Sequence, residues 1–477
     1  MPEQNNQPQR RSFLKAGAAA AAGLAASTQS RAKALGANDR VRVAVAGVRG
    51  RGWDHVKSYQ PIPNVEIAYF CDVDENVLRQ RLGDAEKMGL PKPKTEVDFR
   101  KVLEDKDVDA VSIATPNHWH SLMGIWAAQA GKDIYIEKPC SHNWWEGRQL
   151  VNAVKKYNVI CEHGSQCRSS AAILEAMDNM RNGTIGDVYM ARGLCYKWRN
   201  TIGRANEEAV PAGVNYDLWT GPAPMKPFTR NRFHYNWHWI WDTGNGDIGN
   251  QGIHELDLAR WGLGVGLPTK ITAIGGHFLF DDDQQTPNVI TAVYEFDTPT
   301  GKKMMNFEVR GWITNHEAEI GTADFSGGGV PAAGLSQAEP KHNSAPAKSL
   351  GPATNVPSTI GNLYYGSKGY LAISNYDSYR TFLGPEEQPG PQKTAPVHNE
   401  HFVNFIDCVR SRNAANIHAP IAEGYISSTL IHLANASYRL GRTIHFDPAT
   451  ETVLGDEEAS TLLKGTYRAP YVVPEQV

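Results

Sequence analysis

The stretch 41–52, VRVAVAGVRGRG, decides the fold of this chain of 477 residues. Its first half alternates apolar side chains as a short β-strand does, and its second half carries three glycines in the spacing G-x-x-G-x-G. Glycines between a strand and a helix let the backbone approach a pyrophosphate at the helix N-terminus. A tight turn without a ligand has the same residues, so further signals are needed. The residues predicted to cradle the phosphates are Gly47, Arg49, Gly50, Arg51 and Gly52.

The residues up to 164 continue this alternation of strands and helices. The predicted strands after the first are 65–71, 109–114, 133–136 and 158–161, and the predicted helices are 98–103, 121–130 and 144–156. Strands that alternate with helices of this length form βαβ units and a parallel sheet. The prediction for 37–164 is therefore an α/β domain.

The pattern changes after residue 164, where longer runs of antiparallel character begin. The predicted strands are 187–195, 270–280, 288–296, 304–309 and 370–374, and the predicted helices are 247–261, 400–410 and 422–440. This pattern predicts for 165–445 an α+β domain with a large open, mainly antiparallel sheet, followed by a C-terminal tail at 446–477. The segment 322–358 is rich in Gly, Pro, Ala and Ser without periodicity and is predicted to be a long loop.

The acid Asp72, directly after the second strand, points to the kind of nucleotide. A carboxylate at this place accepts hydrogen bonds from the ribose hydroxyls of NAD and repels the additional phosphate of NADP. NAD is therefore the predicted cofactor, and the nearby Arg49 and Arg51 leave NADP open.

The turn after the strand 109–114 supports the same prediction. Its residues break the chain above the sheet, where a ribose or nicotinamide would lie. The paired His118 and His120 have no third ligand at a suitable spacing, so no metal site is predicted. The residues predicted to contact the cofactor here are Thr115, Pro116, Asn117 and His120.

The strand 133–136 ends in Glu137, Lys138 and Pro139. A lysine at the C-terminal end of a parallel strand lies where open α/β sheets bind ligands. The proline restricts the backbone of the lysine and removes one donor from the sheet. These residues predict a cation held over the cofactor crevice; the alternative is a surface lysine before a proline that ends the strand.

The N-terminus has the pattern of an export signal. Arg10 and Arg11 precede a weakly apolar stretch at 16–26 and an A-x-A sequence at 32–34. This pattern is typical of a twin-arginine signal peptide, here over 1–36, and predicts a periplasmic or other extracytoplasmic location. A disordered basic N-terminus is the alternative. The apolar stretch is shorter than the about 20 residues that a membrane span needs, so none is predicted.

Composition excludes some classes of function. The formal net charge is −3 and no run of five like charges occurs, which argues against nucleic acid as a partner. The cysteines show no C-x-x-C spacing and do not predict a disulfide framework, although Cys161 and Cys167 are close enough to test. The six cysteines are Cys71, Cys140, Cys161, Cys167, Cys195 and Cys408.

Together these motifs resemble the Gfo/Idh/MocA oxidoreductases, a family named from glucose–fructose oxidoreductase and inositol dehydrogenase. The resemblance covers nearly the whole chain after residue 36 and implies a Rossmann domain, an open-sheet domain, a nicotinamide cofactor and carbohydrate-like substrates. It also implies that Lys138 is a catalytic or orienting residue. The matching segments are AGVRGRG at 46–52, CDVD at 71–74, ATPNHWH at 114–120, EKP at 137–139, GDIGNQGIHELDLARW at 246–261 and HFVNFIDCVRSRN at 401–413.

One position departs from the family pattern. The resemblance implies Asp-x-x-x-His beside the reacting hydroxyl, and here Asn250 takes the place of the Asp while His254 keeps the His. An amide cannot take up a proton, and an Asp-to-Asn change costs about four orders of magnitude in a Ser-His-Asp triad. We therefore expect His254 to be the base, with Lys138 lowering the pKa of the hydroxyl.

The aromatic run FHYNWHWIWD at 233–242 suggests a sugar site. Apolar faces of sugars stack on aromatic rings, and their hydroxyls need polar edges, although such a run can also belong to a core. A helix over 247–261 would place Asp247, Asn250, His254 and Asp257 on one polar face, which could equally be a solvent-facing stripe. The predicted substrate contacts are Gln166, Arg168, Lys197, Arg199, Tyr235, Trp237, Trp239 and Asp247.

Three functions fit these residues. The first is the oxidation of a sugar or glycoside hydroxyl by hydride transfer to a tightly held NAD. The second is a redox-neutral, NAD-dependent glycosidase that works by oxidation, elimination and hydration. The third is an NAD-binding protein without catalysis. A homo-oligomer, either a dimer or a tetramer, is expected because the resemblance implies pairing through the open sheet.

Overall fold

The computed structural model describes residues 40–312, 315–320 and 358–477. The predicted signal peptide at 1–36 and, apart from Ser358, the predicted loop at 322–358 lie outside these ranges. Within them, each helix is too short or too polar to cross a membrane.

The first domain is built on a parallel sheet of six strands in the order β3-β2-β1-β4-β5-β6. The predictions for 41–46, 65–71 and 133–136 are confirmed residue for residue. The prediction for 158–161 is wrong, because Asn158 is left-handed (φ 52°) and ends a helix, so the strand begins later. The strands are β1 Val41–Ala46, β2 Val65–Cys71, β3 Lys94–Glu96, β4 Ala110–Ile113, β5 Asp133–Ile136 and β6 Cys161–His163.

Five helices connect these strands. The second of them was not predicted, because Val77, Leu78 and Ala85 are its only buried side chains and the remaining polar residues obscure the helical pattern. The fourth begins at Asn117, four residues before the predicted start at 121. The helices are α1 Arg51–Tyr59, α2 Glu75–Lys87, α3 Phe99–Glu104, α4 Asn117–Gln129 and α5 Trp144–Tyr157.

The second domain carries a sheet of ten strands in the order β14-β13-β12-β11-β7-β10-β9-β8-β15-β16. Only the β7–β10 pair is parallel among the pairings described, so the predicted mainly antiparallel open sheet is confirmed. The strands are β7 Val188–Tyr196, β8 Lys270–Gly276, β9 Val289–Thr298, β10 Gly301–Arg310, β11 Thr359–Gly366, β12 Gly369–Ser374, β13 Ser378–Leu383, β14 Gln388–Thr394, β15 Ile444–Asp447 and β16 Thr452–Val453.

The helix predicted over 247–261 is two helices, interrupted at Gln251. The N–H of His254 donates to the carbonyl of Gln251 at 3.2 Å instead of continuing the regular ladder to Asn250. The remaining helices are α6 Ala171–Arg181, α7 Tyr216–Thr220, α8 Gly246–Asn250, α9 Gly252–Leu263, α10 Glu400–Ser411, α11 Ile421–Leu440 and α12 Glu457–Lys464, with 3-10 turns at Gln166–Ser169, Arg230–Arg232, His234–Trp239, Glu317–Glu319 and Ala414–Asn416.

The C-terminal helices return to the first domain. Val41, Val43 and Val45 of β1 belong to the same buried cluster as Phe402 and Phe405 of α10. The small side chains of β1 face the opposite cluster, which contains residues of α4, α5 and α11. The domain limits of 37–164 and 165–445 stay a prediction, but the packing shows that α10 completes the core of the first domain.

A buried ion pair fastens the 3-10 turn after β6 to α9. The guanidinium of Arg168 donates two hydrogen bonds to the carboxylate of Asp257, at 2.7 and 2.8 Å, and the two side chains are 5% and 1% exposed. Ser427 of α11 donates to the same carboxylate at 2.6 Å. Burial raises the pKa of Asp257, but the charge and hydrogen bonds of Arg168, together with Arg260 and Ser427, outweigh it and lower the pKa.

Replacement of Arg168 by Met should lower the free energy of unfolding by about 3 kcal/mol or more. The carboxylate of Asp257 would stay buried, with Arg260 at 3.8 Å as its remaining cationic partner. Urea denaturation followed by far-UV circular dichroism measures this loss. Arg181→Met is the matched control, since Arg181 pairs with Asp178 on the surface and such pairs contribute at most about 1 kcal/mol. Equal midpoints for the two variants would contradict the structural role of Arg168.

Candidate active site

A cleft of about 1020 Å³ lies at the carboxyl ends of β1, β2 and β4, and the second domain forms its other wall. The order of the first sheet reverses between β1 and β4, and open α/β sheets bind ligands at such a point. The predicted residues that line the cleft are Gly47, Arg49, Gly50, Arg51, Asp72, Thr115, Pro116, Asn117, His120, Glu137, Lys138, Gln166, Lys197, Arg199, Tyr235, Trp237, Trp239, Asn250 and His254.

The glycine loop leaves no room for side chains at two positions. Gly47 has a φ of +81°, and a Cβ there would lie 2.6 Å from the carbonyl oxygen of Ala114. A Cβ on Gly52 would lie 2.4 Å from the carbonyl oxygen of Gly47, so this residue packs the helix on the strand although it does not line the cleft. No side chain caps the N-terminus of α1, which leaves backbone N–H groups for an anion. The loop therefore fits a pyrophosphate.

The carboxylate of Asp72 lies at the rim of the same loop. Its Oδ1 accepts a hydrogen bond from the backbone N–H of Asp74 at 3.1 Å. Burial raises the pKa of Asp72 to about 6, and the charge of Arg49 acts in the opposite direction. The group is therefore an ionised acceptor at neutral pH, as ribose hydroxyls require.

The turn after β4 joins the two domains. The side-chain amide of Asn117 donates to Oδ1 of Asn245, in the second domain, at 2.9 Å. The ring nitrogens of His120 lie 2.6 Å from the carbonyl oxygens of Pro139 and Thr115. These contacts fix the turn against the second domain and against Pro139, the neighbour of Lys138.

The carboxylate of Glu137 is the hub of the site. It is 4% exposed and accepts hydrogen bonds from Arg51 at 2.7 Å and from Gln166 at 3.1 Å, and Nε2 of His55 lies 3.0 Å away. Its second oxygen accepts the backbone N–H of Lys138 at 3.1 Å. These partners, above all the charge of Arg51, outweigh burial and hold the pKa of Glu137 well below its usual value.

The side chain of Lys138 reaches from the first domain to the helix interruption in the second. Its Nζ donates to the backbone carbonyl of Asn250 at 2.6 Å, the group that His254 leaves free of the regular ladder. Burial lowers the pKa of Lys138, and the charge of Glu137 opposes this effect. The predicted cation over the crevice thus has a fixed position.

His254 lines the cleft one helical turn beyond Asn250. Its Nδ1 lies 3.6 Å from the Sγ of Cys167. Burial and the charge of Lys138 hold the pKa of His254 well below 6.5, so the ring is neutral. Burial raises the pKa of Cys167 well above its usual value, so its thiol stays protonated.

The six cysteines are free thiols, and the close pair Cys161 and Cys167 forms no disulfide.

Asn250 does not contact His254 through its side chain. Its amide donates to the hydroxyl of Tyr235 at 3.2 Å and to Oδ1 of Asp247 at 3.4 Å. Asp247 in turn accepts two hydrogen bonds from Arg199, at 2.9 and 2.7 Å, and does not line the cleft. The predicted polar face is therefore a buried network, and Asn250 acts through its backbone oxygen and this network.

Most of the other predicted substrate contacts line the cleft, and Arg168 does not. Gln166 donates to the hydroxyl of Tyr135 at 2.7 Å as well as to Glu137, and it lines the cleft. The rings of Trp237 and Trp239 also line the cleft. The ring of Trp239 lies 5.5 Å below the guanidinium of Arg199. Arg168 does not line the cleft, because its guanidinium is used by the ion pair with Asp257.

Three residues that matter here were not predicted as site residues. Gln251 lines the cleft beside Asn250, and only its place in the motif could have indicated it. Cys167 and His55 contact His254 and Glu137 from 87 and 82 positions away, a separation that no local pattern reveals.

The fold and the cleft agree with two models of one protein family. Residues 41–165 match the NAD-binding Rossmann fold of the Gfo/Idh/MocA oxidoreductase family, and residues 183–292 and 376–473 match the C-terminal alpha/beta domain of the same family. The chain therefore belongs to the Gfo/Idh/MocA family. Its first domain is the NAD-binding domain of that family.

Curated relatives and solved structures agree with this family. The chain is 29% identical over 201 residues to a glycosyl hydrolase family 109 protein of Shewanella baltica (strain OS195), a match that covers 38% of this chain and 44% of the relative. The WlbA dehydrogenase of Bordetella pertussis, solved with NADH and UDP-GlcNAcA, superposes with a TM-score of 0.59 at 17% identity over 86% of this chain and 98% of that one. An aldose-aldose oxidoreductase of Caulobacter crescentus, solved with glycerol, also superposes with a TM-score of 0.59, at 17% identity over 85% and 100% of the two chains.

Replacement of Asp72 by Ser should weaken NAD binding about tenfold or more and strengthen NADP binding, because a charged acceptor for the ribose hydroxyls is lost and Arg49 becomes free to pair with a phosphate. Isothermal titration of cofactor-free protein with each nucleotide measures both affinities. The control is Asp54→Asn, since Asp54 lines the cleft but pairs with Lys57. An unchanged ratio of the NAD and NADP affinities in the Asp72 variant would refute the assignment of Asp72 to the ribose hydroxyls.

Proposed function

We propose that this enzyme oxidises a hydroxyl of a sugar or glycoside with a tightly bound NAD. The observation that carries the proposal is the meeting of Lys138 and His254 at one helix interruption in the cleft. Aromatic rings of Tyr235, Trp237 and Trp239 border the same polar groups. Rings beside hydrogen-bonding edges suit the apolar faces and hydroxyls of a sugar.

The proposed proton transfer uses the fixed charges of the site. The ammonium of Lys138 stabilises negative charge on the reacting oxygen, because its partner Asn250 supplies only a neutral carbonyl. The ring of His254 is neutral and can accept the proton. Its weak basicity rises once the negative oxygen offsets the charge of Lys138. The thiol of Cys167 at Nδ1 holds the ring in place.

The chain holds the cofactor through the residues described above. Gly47, Gly50 and the uncapped N-terminus of α1 would hold the pyrophosphate, and Asp72 would accept hydrogen bonds from the ribose hydroxyls. When bound, NAD accepts a hydride from a carbon atom and can return it. The turn after β4, fixed by Asn117 and His120, borders the reacting end of the cleft.

Replacement of Lys138 by Met should lower kcat/KM by about three orders of magnitude or more and leave the bound NAD content unchanged, because the charge opposite the reacting oxygen is lost. Steady-state kinetics and chromatography of the released nucleotide measure the two quantities. Lys138→Arg should restore part of the activity. Lys155→Met on the exposed side of α5 is the control. Undiminished turnover of Lys138→Met would exclude this mechanism.

The second candidate function is a redox-neutral glycosidase. It is favoured by the relatives in Shewanella that are named glycosyl hydrolase family 109 proteins, although the match covers less than half of either chain. In this reaction, oxidation of the sugar at C3 makes the proton on C2 more acidic. Loss of that proton expels the aglycone, water then adds to the double bond, and the hydride returns to C3. The same cation and neutral histidine serve its first step.

The purified protein, incubated with glycosides but without added NAD, distinguishes these reactions. Product masses are the measurement. We expect one equivalent of a ketosugar followed by arrest, because a dehydrogenase with captive cofactor stops until an acceptor removes the hydride. Many turnovers to free sugar and aglycone would identify the glycosidase instead. Absence of any hydride exchange with labelled substrate would leave only NAD binding without catalysis.

We also propose export through the twin-arginine route, on the sequence 10–34, and assembly as a homo-oligomer. Export in a folded state would let the cofactor load before transport, which suits a captive NAD. The outer face of the ten-stranded sheet supports assembly, because its exposed apolar side chains include Tyr189, Ile274, Val293 and Met304. The mass of the mature chain and its sedimentation rate test these two proposals.

A further inference from the structure

Lys197, directly after β7, is a cation of the cleft without an ionic partner. It lines the cleft, and its ammonium forms no ion pair with a carboxylate of the described residues. The hydrogen bond that the described residues offer it is to Oε1 of Gln251, at 3.1 Å, a neutral amide oxygen. An ammonium has three N–H donors, so most of its capacity is left for a ligand.

The other cations around this part of the cleft are already engaged. Arg199 forms a bidentate pair with Asp247, and Arg51 pairs with Glu137 at 2.7 Å. Lys138 donates to the carbonyl of Asn250 and, in the proposed reaction, faces the reacting oxygen. Lys197 alone among these cations has neither a carboxylate nor an assigned task.

Two buried carboxyl groups act on Lys197 through their charge. Asp247 is already paired with Arg199, and Glu255 forms no ion pair with Lys197 among the described residues. Gln251 stands between them: its amide nitrogen donates to Oε1 of Glu255 at 3.2 Å, and the same oxygen accepts the hydroxyl of Tyr376 at 2.7 Å. Burial raises the pKa of Glu255 to about 7 and lowers that of Lys197 to about 8. An ammonium kept in a desolvated cleft without an ion pair is costly, and an anionic ligand group would remove this cost.

We infer that Lys197 binds a singly charged anionic substituent on the sugar, a uronate carboxylate or a sulfate ester. The inference rests on the proposed function and specifies its substrate class. One unpaired ammonium matches one negative charge, whereas a phosphate monoester carries nearly two and would compete for Lys138. The phosphates of the cofactor have their own donors at the glycine loop, which belongs to the first domain.

The test compares the NAD-loaded wild type with Lys197→Met and Lys197→Arg. The probes are methyl glucuronide, its neutral methyl ester, methyl glucoside and the 6-sulfate of methyl glucoside, each as both anomers. Binding is measured by isothermal titration, which needs no turnover, and kcat/KM is measured where a product forms. Lys155→Met is again the control, and the NAD content of every variant is determined.

The wild type should bind the glucuronide or the sulfate about tenfold or more tighter than the neutral probes, and Lys197→Met should lose this preference while Lys197→Arg keeps it. Tighter binding of the 6-sulfate than of the glucuronide would identify a sulfate ester as the anionic substituent. Equal binding of charged and neutral probes, binding of none, or loss of NAD from Lys197→Met would overturn the inference. A preference in binding without turnover would refute the proposed reaction and leave the inference standing.

Discussion

A single buried carboxylate, that of Glu137, is the constraint on which the site depends. A charge in this position is tolerated only if strong donors surround it, and the chain brings them from three places: Arg51 and His55 on α1, Gln166 after β6, and the backbone of Lys138. The helix after the glycine loop, the strand end that carries Lys138 and the entry to the second domain are thus all tied to this carboxylate. Small displacements of any of them would leave the charge uncompensated.

The interruption at Gln251 has a comparable role on the opposite wall. A continuous helix would use the carbonyl of Asn250 for its own ladder, whereas here that oxygen accepts Lys138. The acid of the family pattern is replaced by the amide of Asn250, which donates to Tyr235 and Asp247. His254 is held by a thiol and kept neutral by its surroundings, and the anion Asp247 is occupied by Arg199. Charge in the cleft is therefore controlled by the lysines.

Sequence patterns predicted the first domain well where the strands are apolar and the turns contain glycine or proline. They missed α2 and β3, whose side chains are mostly polar, because their burial depends on neighbours distant in the chain. The cofactor loop and Lys138 were predictable because local rules of strand ends place them. Asp247 and Arg168 were predicted as substrate contacts but do not line the cleft, because each is held in an ion pair whose partner is 48 or 89 positions distant in the chain. The pattern showed polar residues, and only the fold showed which of them face a ligand.

The return of α10 to the first sheet has a consequence for biosynthesis. A ribosome delivers β1 early, yet the aromatic side chains of Phe402 and Phe405 that cover its valines emerge only near the end of translation. Until then, one face of the nucleotide-binding sheet lacks part of its cover and exposes apolar surface. The domain that is synthesised first is therefore among the last parts of the molecule to be finished. A nascent chain of this protein would complete the core of its first domain only once nearly all of its residues have been made.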